Sequence, residues 1–273
     1  MSLVLDERQR GMLREMGLRL FQSQSHSGRI DGTPPGPPRQ AGGKPTLGAG
    51  GKGRSAENVA AEVMVAKAPV VSKALRPAVT GIELMEWDAL EQAVASCRGC
   101  ELCNGRRNTV FGSGDRQADW LIVGEAPNEN EDLQGEPFVG QAGLLLDSML
   151  KAVALNRRQK VYIANVLRCR PPGNRNPELH EVAQCEPFLR RQVELLQPRI
   201  ILAMGRFAVQ SLLQSSEPIG KLRGQVHRYN GVPVVVTYHP DYLLRNLADK
   251  GKAWADLCLA LEVLEQPVSG STR

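Results

Sequence analysis

The run Trp120-Leu-Ile-Val-Gly124 is the first of four short apolar segments of strand length, and the others cover residues 161–165, 200–203 and 232–237. Segments with the apolar spacing of helices lie between and after them, at residues 140–154, 179–196, 207–213 and 252–264. Apolar strands that alternate with helices are typical of a parallel sheet covered by helices on both faces. The sequence therefore predicts an α/β fold, a three-layer α/β/α sandwich with a mostly parallel central sheet. A typical hairpin turn, Asn230-Gly231, further predicts an antiparallel strand at one edge.

The composition is that of a folded domain with an appendage. Of the 273 residues, 42% are hydrophobic and 23% are charged, which is enough apolar material for a core. No apolar run is long enough to cross a membrane, and the first residues lack the apolar core of a secretory signal. We therefore expect a cytoplasmic protein without membrane contact. The excess positive charge lies within residues 1–83, and the pI near 9.0 is a hint of nucleic-acid binding.

The chain divides into four zones by composition. Residues 1–24 include apolar side chains at helical spacing, which predicts a short N-terminal helix. Residues 25–81 are rich in Gly, Pro and Ala and cannot bury enough apolar surface to offset their chain entropy, so a disordered linker is predicted. The compact domain is predicted at residues 82–268, followed by a tail at residues 269–273.

The cysteines indicate a metal site. Cys97 and Cys100 form a Cys-x2-Cys pair, which is typical of a metal-binding turn, and disulfides are not expected in the cytoplasm. Cys169 follows a predicted strand and Cys185 lies in a predicted helix, so the fold can bring two further thiolates to the pair. An all-sulfur ligand set fits either structural zinc or an iron–sulfur cluster. Cys103 is either an alternative ligand or a bystander.

Three polar loops follow the predicted strands, at residues 124–140, 165–175 and 239–246. In open α/β sheets, ligands bind beyond the carboxyl ends of the strands. These loops, together with Cys97-x2-Cys100 and Cys169-x15-Cys185, resemble the iron–sulfur type, or family 4, of uracil-DNA glycosylases over about residues 84–268. The resemblance implies a glycosylase-like fold with a [4Fe–4S] cluster. It also implies hydrolysis of the N-glycosidic bond of a flipped-out deoxyuridine in DNA, which leaves an abasic site and starts base-excision repair.

The resemblance assigns roles to individual residues of these loops. His239 is expected to donate a hydrogen bond to uracil O2, and Glu125 to orient water or to stabilise the positively charged sugar. The cluster ligands it implies are Cys97, Cys100, Cys169 and Cys185. For uracil binding it implies Phe138 as a stacking ring and Asn165 as the amide that reads the O4 and N3–H edge. Glu131 is expected beside C5, where it excludes thymine. Ala126 and Asn174 are two further pocket positions.

Basic and apolar side chains near these loops are expected to contact DNA. Between Asp147 and Glu178 there is no acidic residue, but there are seven basic ones: Lys151, Arg157, Arg158, Lys160, Arg168, Arg170 and Arg175. We predict phosphate contacts there, with Arg170 and Arg175 next to the cluster loop. Leu243 and Leu244 are predicted to wedge into the gap left by the flipped base, with Arg245 on a phosphate.

One position departs from the family pattern. The family has Gly-Glu-Ala-Pro-Gly in its first motif, and this chain has Asn128 at the last position. Asn tolerates the left-handed backbone region better than most residues, so the turn is expected to survive. Close approach of the backbone to DNA is less favourable, which leaves open a non-catalytic DNA-binding module with zinc or an iron–sulfur cluster, associated with a DNA polymerase.

Other relatives and partners are distinguished by short motifs. Relatives that form a stable covalent adduct with the abasic sugar carry a Gln in the first motif and an extra basic loop, whereas this chain has Glu125 and no such loop. Residues 17–21, Gly-Leu-Arg-Leu-Phe, are faintly similar to a sliding-clamp peptide without its leading Gln. We therefore expect a monomer that acts on uracil-containing DNA, with a sliding clamp or polymerase as a weak partner of the N-terminal arm.

Overall fold

The computed structural model describes residues 80–265, which form six strands and eight α-helices. The strands are β1 Ser113–Gly114, β2 Trp120–Gly124, β3 Val161–Asn165, β4 Ile200–Met204, β5 Val226–Tyr229 and β6 Val232–Thr237. The helices are α1 Trp87–Ser96, α2 Glu129–Gln134, α3 Gly140–Ala152, α4 Leu179–Leu196, α5 Arg206–Leu213, α6 Ile219–Leu222, α7 Pro240–Arg245 and α8 Lys250–Glu265. Four short 3-10 helices lie at Ile82–Leu84, Glu101–Asn104, Pro172–Asn174 and Leu247–Asp249.

The six strands form one mixed sheet in the order β1-β3-β2-β4-β6-β5. The four central strands are parallel, and β1 and β5 pair antiparallel at the two edges. At the turn between β5 and β6, Asn230 and Gly231 have φ of 47° and 84°, which is the backbone that a two-residue hairpin with right-handed strand twist requires. The predicted α/β fold and the antiparallel hairpin edge are both confirmed.

Alternate residues of each central strand enter two different cores. On one face Trp120 and Ile122 pack with side chains of α3 and α8. On the other face Leu121 and Val123 pack with side chains of α4 and α5. Because both faces of the parallel strands are covered, the strands are apolar along their whole length. Helices therefore cover the sheet on both faces, which is the predicted three-layer α/β/α arrangement.

The parallel strands place their carboxyl ends at one edge of the sheet. Gly124, Asn165, Met204 and Thr237 end the four central strands, and Gly124 is directly opposite Asn165 in the β2–β3 register. The loops that follow these residues therefore meet at this edge, as expected for a ligand site in an open α/β sheet.

The predicted zones fall partly outside the described residues. The helix within residues 1–24, most of the linker at 25–81 and the tail at 269–273 lie there, and these boundaries stay predictions. At the start of the described part, Ile82 packs with Leu90 and Phe188. Within residues 80–265, no helix combines the length and apolar character needed to cross a bilayer.

A buried ion pair joins α8 to the segment after α6. Asp256 is 1% exposed and accepts two hydrogen bonds from Arg223, at 2.8 and 2.9 Å. The same guanidinium donates to the Lys252 carbonyl and lies 4.9 Å from the ring centre of Tyr238. Burial raises the pKa of Asp256 to about 6, although Arg223 opposes this shift. The carboxyl therefore binds a proton more readily in the folded chain, and this contribution to stability is lost as pH rises through about 6.

Replacing Arg223 by methionine is expected to destabilise the domain by about 3–5 kcal/mol at pH 8, because an unpaired carboxylate stays buried. The loss should be smaller at pH 5, where Asp256 becomes protonated. Urea denaturation of wild type and Arg223→Met at both pH values measures this difference. Arg116→Met is the control, since Arg116 pairs with Asp88 at the surface and should cost less than about 1 kcal/mol. An equal loss at both pH values would contradict the pH dependence.

Candidate active site and cysteine site

Glu125 lies at the carboxyl end of β2, beside the first turn of α5. Its Oε1 accepts a hydrogen bond from the Phe207 N–H at 2.9 Å. Gly205 makes room for this contact, because a Cβ there would lie 2.5 Å from the same oxygen. Burial raises the pKa of Glu125 above its usual value, and the Phe207 N–H opposes this. The predicted catalytic carboxylate is therefore fixed in place, and it also caps a helix.

Asn128 begins α2 with a reciprocal capping box. Its Oδ1 accepts hydrogen bonds from the N–H groups of Asn130 and Glu131 at 2.9 and 3.1 Å, and the Glu131 carboxylate accepts from the Asn128 N–H at 2.7 Å. Asn128 has φ of −90°, in the extended region. The assumption that this position needs a left-handed backbone is wrong, so an Asn fits here without strain and satisfies helix donors that a Gly would leave free.

Glu131 joins two loops of the site through its two carboxylate oxygens. One oxygen closes the capping box, and the other accepts a hydrogen bond from the Phe138 N–H. The residue is buried, and burial raises its pKa, while these two N–H groups oppose the shift. Glu131 thus fixes the start of the Phe138 loop, and its expected role beside uracil C5 stays a prediction.

Phe138 is held in an unusual backbone conformation, with φ of 52°. Arg157 donates hydrogen bonds to the carbonyls of Pro137 and Phe138 at 3.1 and 2.6 Å, and to that of Gly143 at 3.1 Å. The Phe138 ring stacks on the His239 ring with centroids 5.0 Å apart and 24° between the planes. Phe138 is only 1% exposed, and its expected role as the ring that stacks on uracil stays a prediction. Arg157 is a clamp for this loop, not a free phosphate ligand as the charge run predicted.

Asn165 places an amide against this ring and against Gly124. A Cβ on Gly124 would lie 2.3 Å from Asn165 Oδ1 and 2.6 Å from the Phe138 ring, so only glycine allows the three groups to meet. Asn165 is 1% exposed, and its Nδ2 makes no hydrogen bond of ordinary geometry within residues 80–265. It does lie close enough to the Glu131 carboxylate to lower the pKa of that group. A buried amide without a good acceptor is unfavourable, which suits a site that is completed by a ligand.

His239 caps the N-terminus of α7 with its ring. Its Nδ1 accepts a hydrogen bond from the Asp241 N–H at 3.2 Å, so in the neutral ring the proton is on Nε2. Burial lowers the pKa of His239 to about 4, with Arg245 adding to the shift and the Asp241 carboxylate, 3.8 Å from Nδ1, opposing it. The imidazole is therefore a neutral hydrogen-bond donor at pH 7. The sequence did not indicate Asp241, whose charge also acts on Glu125.

The four predicted cluster ligands line one cavity, together with Cys103. They come from the segment after α1, the loop after β3 and the middle of α4, and they are Cys97, Cys100, Cys169 and Cys185. Burial raises the pKa of Cys100, that of Cys169 to about 11 and that of Cys185 to about 12. Such thiols become thiolates only when a metal compensates the charge.

The cysteine site and the predicted catalytic loop share a boundary. Ala126 packs against the group formed by Cys100, Cys169 and Cys185 with their apolar neighbours. The Leu167 N–H donates to the Glu125 carbonyl at 3.1 Å. Ala126, predicted to line the uracil pocket, therefore packs against the cysteine site and links it to Glu125.

The two leucines predicted as a wedge point in different directions. Leu243 is fully buried and belongs to the core shared by α3 and α8, so the wedge prediction is wrong for this residue. Leu244 is 38% exposed, and Leu247, which the sequence did not single out, is 58% exposed. Arg245 between them is exposed. Only one of the predicted pair can reach DNA without local unfolding.

The loop after β3, which contains Cys169, also contains the predicted phosphate ligands Arg170 and Arg175, and both form ion pairs. Arg170 donates to Asn174 Oδ1 at 2.7 Å and to Glu129 at 3.2 Å. Arg175 pairs with the buried Glu181. Asn174 is exposed and has φ of 54°. The structure thus places Asn174 on the surface of the cluster loop with Arg170, not among the buried pocket residues where the sequence predicted it.

Comparison with known proteins identifies the family. A family model described as the uracil DNA glycosylase superfamily matches residues 111–258. The chain belongs to the uracil-DNA glycosylase superfamily. Within this match lie the predicted superfamily residues Glu125, Asn165 and His239, whereas Cys97 and Cys100 precede it.

The matches to relatives in the superfamily cover most of the length of each relative. A Type-4 uracil-DNA glycosylase of Saccharolobus solfataricus is 41% identical over 167 residues, which are 58% of this chain and 77% of that protein. The Type-4 enzyme of Thermotoga maritima is 41% identical over 170 residues, 62% of this chain and 87% of that protein. That of Pyrobaculum aerophilum is 39% identical over 183 residues, 64% of this chain and 93% of that protein. The resemblance read from the motifs is confirmed.

Proposed function

We propose that this chain is a uracil-DNA glycosylase that hydrolyses the N-glycosidic bond of a flipped-out deoxyuridine in DNA. The product is an abasic site, with which base-excision repair begins. The observation that carries the proposal is that Asn165 and Phe138 meet at Gly124 and that the His239 ring stacks on Phe138. The names of the Type-4 relatives support the same activity.

Recognition of uracil is assigned to Asn165. Its Nδ2 lacks a good acceptor in the described structure and can donate to uracil O4, while Oδ1 can accept from N3–H. Cytosine presents an amino group in place of O4, which would leave two donors facing each other. A site built to hydrogen-bond one pattern rejects the other strongly. Glu131 is proposed to stand beside C5, where bulk excludes the methyl group of thymine.

Bond cleavage is assigned to His239 and Glu125. As the C1′–N1 bond breaks, negative charge develops on uracil, and the His239 Nε2–H is proposed to donate to O2. Because the imidazole is neutral, it stabilises this charge by a hydrogen bond and transfers no proton. The Glu125 carboxylate faces the positive charge that develops on the sugar and orients the water that adds to C1′. The uracil anion leaves and takes up a proton from solvent, and the water that adds to C1′ releases one proton to solvent, so the step is balanced.

We assign the cofactor as a [4Fe–4S] cluster bound by Cys97, Cys100, Cys169 and Cys185. Five cysteines, these four and Cys103, line one cavity. Four thiolates can hold a zinc ion as well as an iron–sulfur cluster. The resemblance of this chain to the iron–sulfur type of uracil-DNA glycosylase favours the cluster. Bound there, the cluster would supply covalent cross-links between the loops and no chemistry of the reaction.

The proposed DNA contacts surround the pocket. Arg170, Arg175 and Arg245 are assigned to phosphates, and Leu244 to the gap left by the flipped base. The enzyme is proposed to act as a monomer in the cytoplasm, where reducing conditions preserve thiolate ligands. A sliding clamp or polymerase stays a proposed weak partner of residues 1–24.

An excision assay with two variants of one carboxylate tests the proposal. End-labelled DNA with a single uracil is incubated with protein, treated with alkali and resolved on a denaturing gel, beside a thymine control. Wild type should cut at uracil only. Glu125→Gln keeps an acceptor for the Phe207 N–H but removes the charge, so we expect a rate loss of about 10²-fold with unchanged stability. Glu125→Ala also removes the acceptor, so it should lower both the rate and the stability. Glu262 is exposed on α8, and Glu262→Ala should change neither.

One outcome would contradict the proposed activity, and another would contradict only the role of Glu125. No scission by metal-loaded wild type that still binds DNA would favour the non-catalytic DNA-binding module. A Glu125→Gln variant with the wild-type rate would leave the glycosylase in place but remove the role of this carboxylate.

Replacing Gly124 by alanine is expected to lower the excision rate by about 10²-fold or more. The new Cβ would collide with Asn165 Oδ1 and the Phe138 ring, and a small misplacement of pocket groups has an effect of this size. Gly220→Ala is the matched control, since its Cβ would meet no atom within 4 Å. Single-turnover rates of both variants measure the effect. A Gly124→Ala variant as fast as Gly220→Ala would show that the pocket does not depend on this close approach.

A further inference from the structure

Arg168 is a buried arginine next to the cysteine site. It directly precedes Cys169, is 2% exposed and lines the same cavity as the cysteines. The sequence grouped it with the DNA-contacting residues, but a side chain so deeply buried cannot reach a phosphate.

The hydrogen bonds of Arg168 go to neutral groups. Nη1 donates to the Phe111 carbonyl at 3.0 Å and Nη2 to Gln192 Oε1 at 2.6 Å, while the buried Nε has no hydrogen-bond partner in the described residues. No carboxylate forms an ion pair with it within residues 80–265. A buried guanidinium without a counter-charge is strongly unfavourable. The Arg168 guanidinium therefore requires a negative charge that no carboxylate in residues 80–265 supplies.

A second guanidinium, that of Arg106, lines the same cavity. Arg106 donates from Nη1 to Cys169 Sγ at 3.0 Å and from Nη2 to the Ala95 carbonyl at 2.9 Å. Arg106 is partly exposed, whereas Arg168 is buried. Water screens the first charge more strongly than the second. Both cations stand next to the one place in this part of the chain where four thiolates would meet.

We propose that Arg168, assisted by Arg106, is the counter-charge of the iron–sulfur cluster. The inference rests on the cluster assigned under the proposed function. An oxidised [4Fe–4S] core with four thiolates carries about two net negative charges, and one more when reduced. The cluster thus supplies the missing anion for Arg168, and Arg168 stabilises the more negative, reduced state. Arg168 is a positioning residue that sets how firmly the cluster is held and at what potential it is reduced.

Full-length variants purified without oxygen test this role. Iron and sulfide content, the rate of iron loss to a chelator and the midpoint potential are measured for wild type, Arg168→Met, Arg168→Lys and Arg106→Met. Arg168→Met should lose iron severalfold faster and should shift the potential to more negative values. Arg168→Lys should retain most of the wild-type behaviour, and Arg106→Met should shift the potential in the same direction by less.

Two controls separate charge from structure. Gln192→Leu disturbs the same hydrogen-bond network without changing charge, so it should lower the melting temperature and leave the potential unchanged. Arg191→Met removes a charge from the same helix, but Arg191 pairs with Glu194 and does not line the cavity. It should change neither the potential nor the rate of iron loss.

The outcomes are distinguishable. An unchanged potential in Arg168→Met, or an equal shift in Gln192→Leu, overturns the inference and leaves the cluster assignment intact. If Arg168→Met does not fold, an unshifted potential in Arg106→Met overturns it instead. Wild type that contains zinc, or no metal, overturns the cluster assignment and the inference with it, whereas the excision assay still decides the glycosylase activity.

Discussion

Replacing His239 by alanine is expected to lower the single-turnover rate of uracil excision by about 10²–10³-fold, the loss typical of removing one aligned donor from a developing negative charge. The Asp241 N–H fixes the ring by donating to Nδ1, so that Nε2 carries the proton. Rates on single-uracil DNA with excess enzyme measure the loss. Substrate binding should change little, because the charge on uracil develops only as the bond breaks.

The control and the pH dependence make this prediction specific. His227→Ala removes the histidine of edge strand β5, which contacts the Leu222 carbonyl, and should leave the rate unchanged. Because the pKa of His239 is lowered to about 4, its ring stays neutral between pH 5 and pH 8. The ratio of wild-type to His239→Ala rates should therefore be constant over this range. A ratio that falls as the pH is raised past about 6.5 would mean that a protonated ring acts, as a general acid.

The lowered pKa of His239 also affects stability. A folded-state pKa of about 4, below the ordinary value of 6.5, means that protonation opposes folding. The contribution of the neutral ring to stability is present above about pH 6.5 and is lost as the pH falls towards 4. Wild type should therefore lose stability in this window relative to His239→Ala.

The central strands could be predicted because they are buried on both faces. Each is a continuous apolar run such as Trp120–Gly124, and the helices α3 and α4 show clear apolar spacing. Helix α2, Glu129–Gln134, was missed because it is short and polar. Its signal was present in the capping box that Asn128 and Glu131 form, a pattern that marks a helix start even without an apolar face.

The loops of the site could be predicted, but not the direction of every side chain. Parallel strands bring their carboxyl ends together, so Glu125, Asn165 and His239 were expected near one another. A sequence does not reveal whether an arginine points outward, and Arg157 and Arg168 both turn inward to bind carbonyls. A charge run therefore overestimates the phosphate contacts of a surface.

Replacing any one of the four proposed ligands by alanine is expected to abolish cluster binding, and Cys185→Ala should have the largest effect on stability. Cys185 lies in α4, whose Leu189 and Val193 pack on the sheet. The proposed cluster would therefore connect the core to the loops of Cys97 and Cys169. Because a metal centre stabilises only the folded chain, its loss removes that contribution from the free energy of unfolding. Iron content, visible absorbance and melting temperature measure the effect.

The two remaining cysteines provide matched controls. Cys103 lines the same cavity, but its Sγ contacts Asn104 Oδ1 at 3.5 Å, and Cys258 packs against the core on α8. Cys103→Ala and Cys258→Ala should keep full iron content and visible absorbance. A Cys103→Ala variant that loses iron while Cys97→Ala keeps it would move the fourth ligand from Cys97 to Cys103. The cavity would then still bind a cluster, through Cys100 and Cys103, which have the same Cys-x2-Cys spacing as Cys97 and Cys100. Cys103 lies within the 3-10 helix Glu101–Asn104.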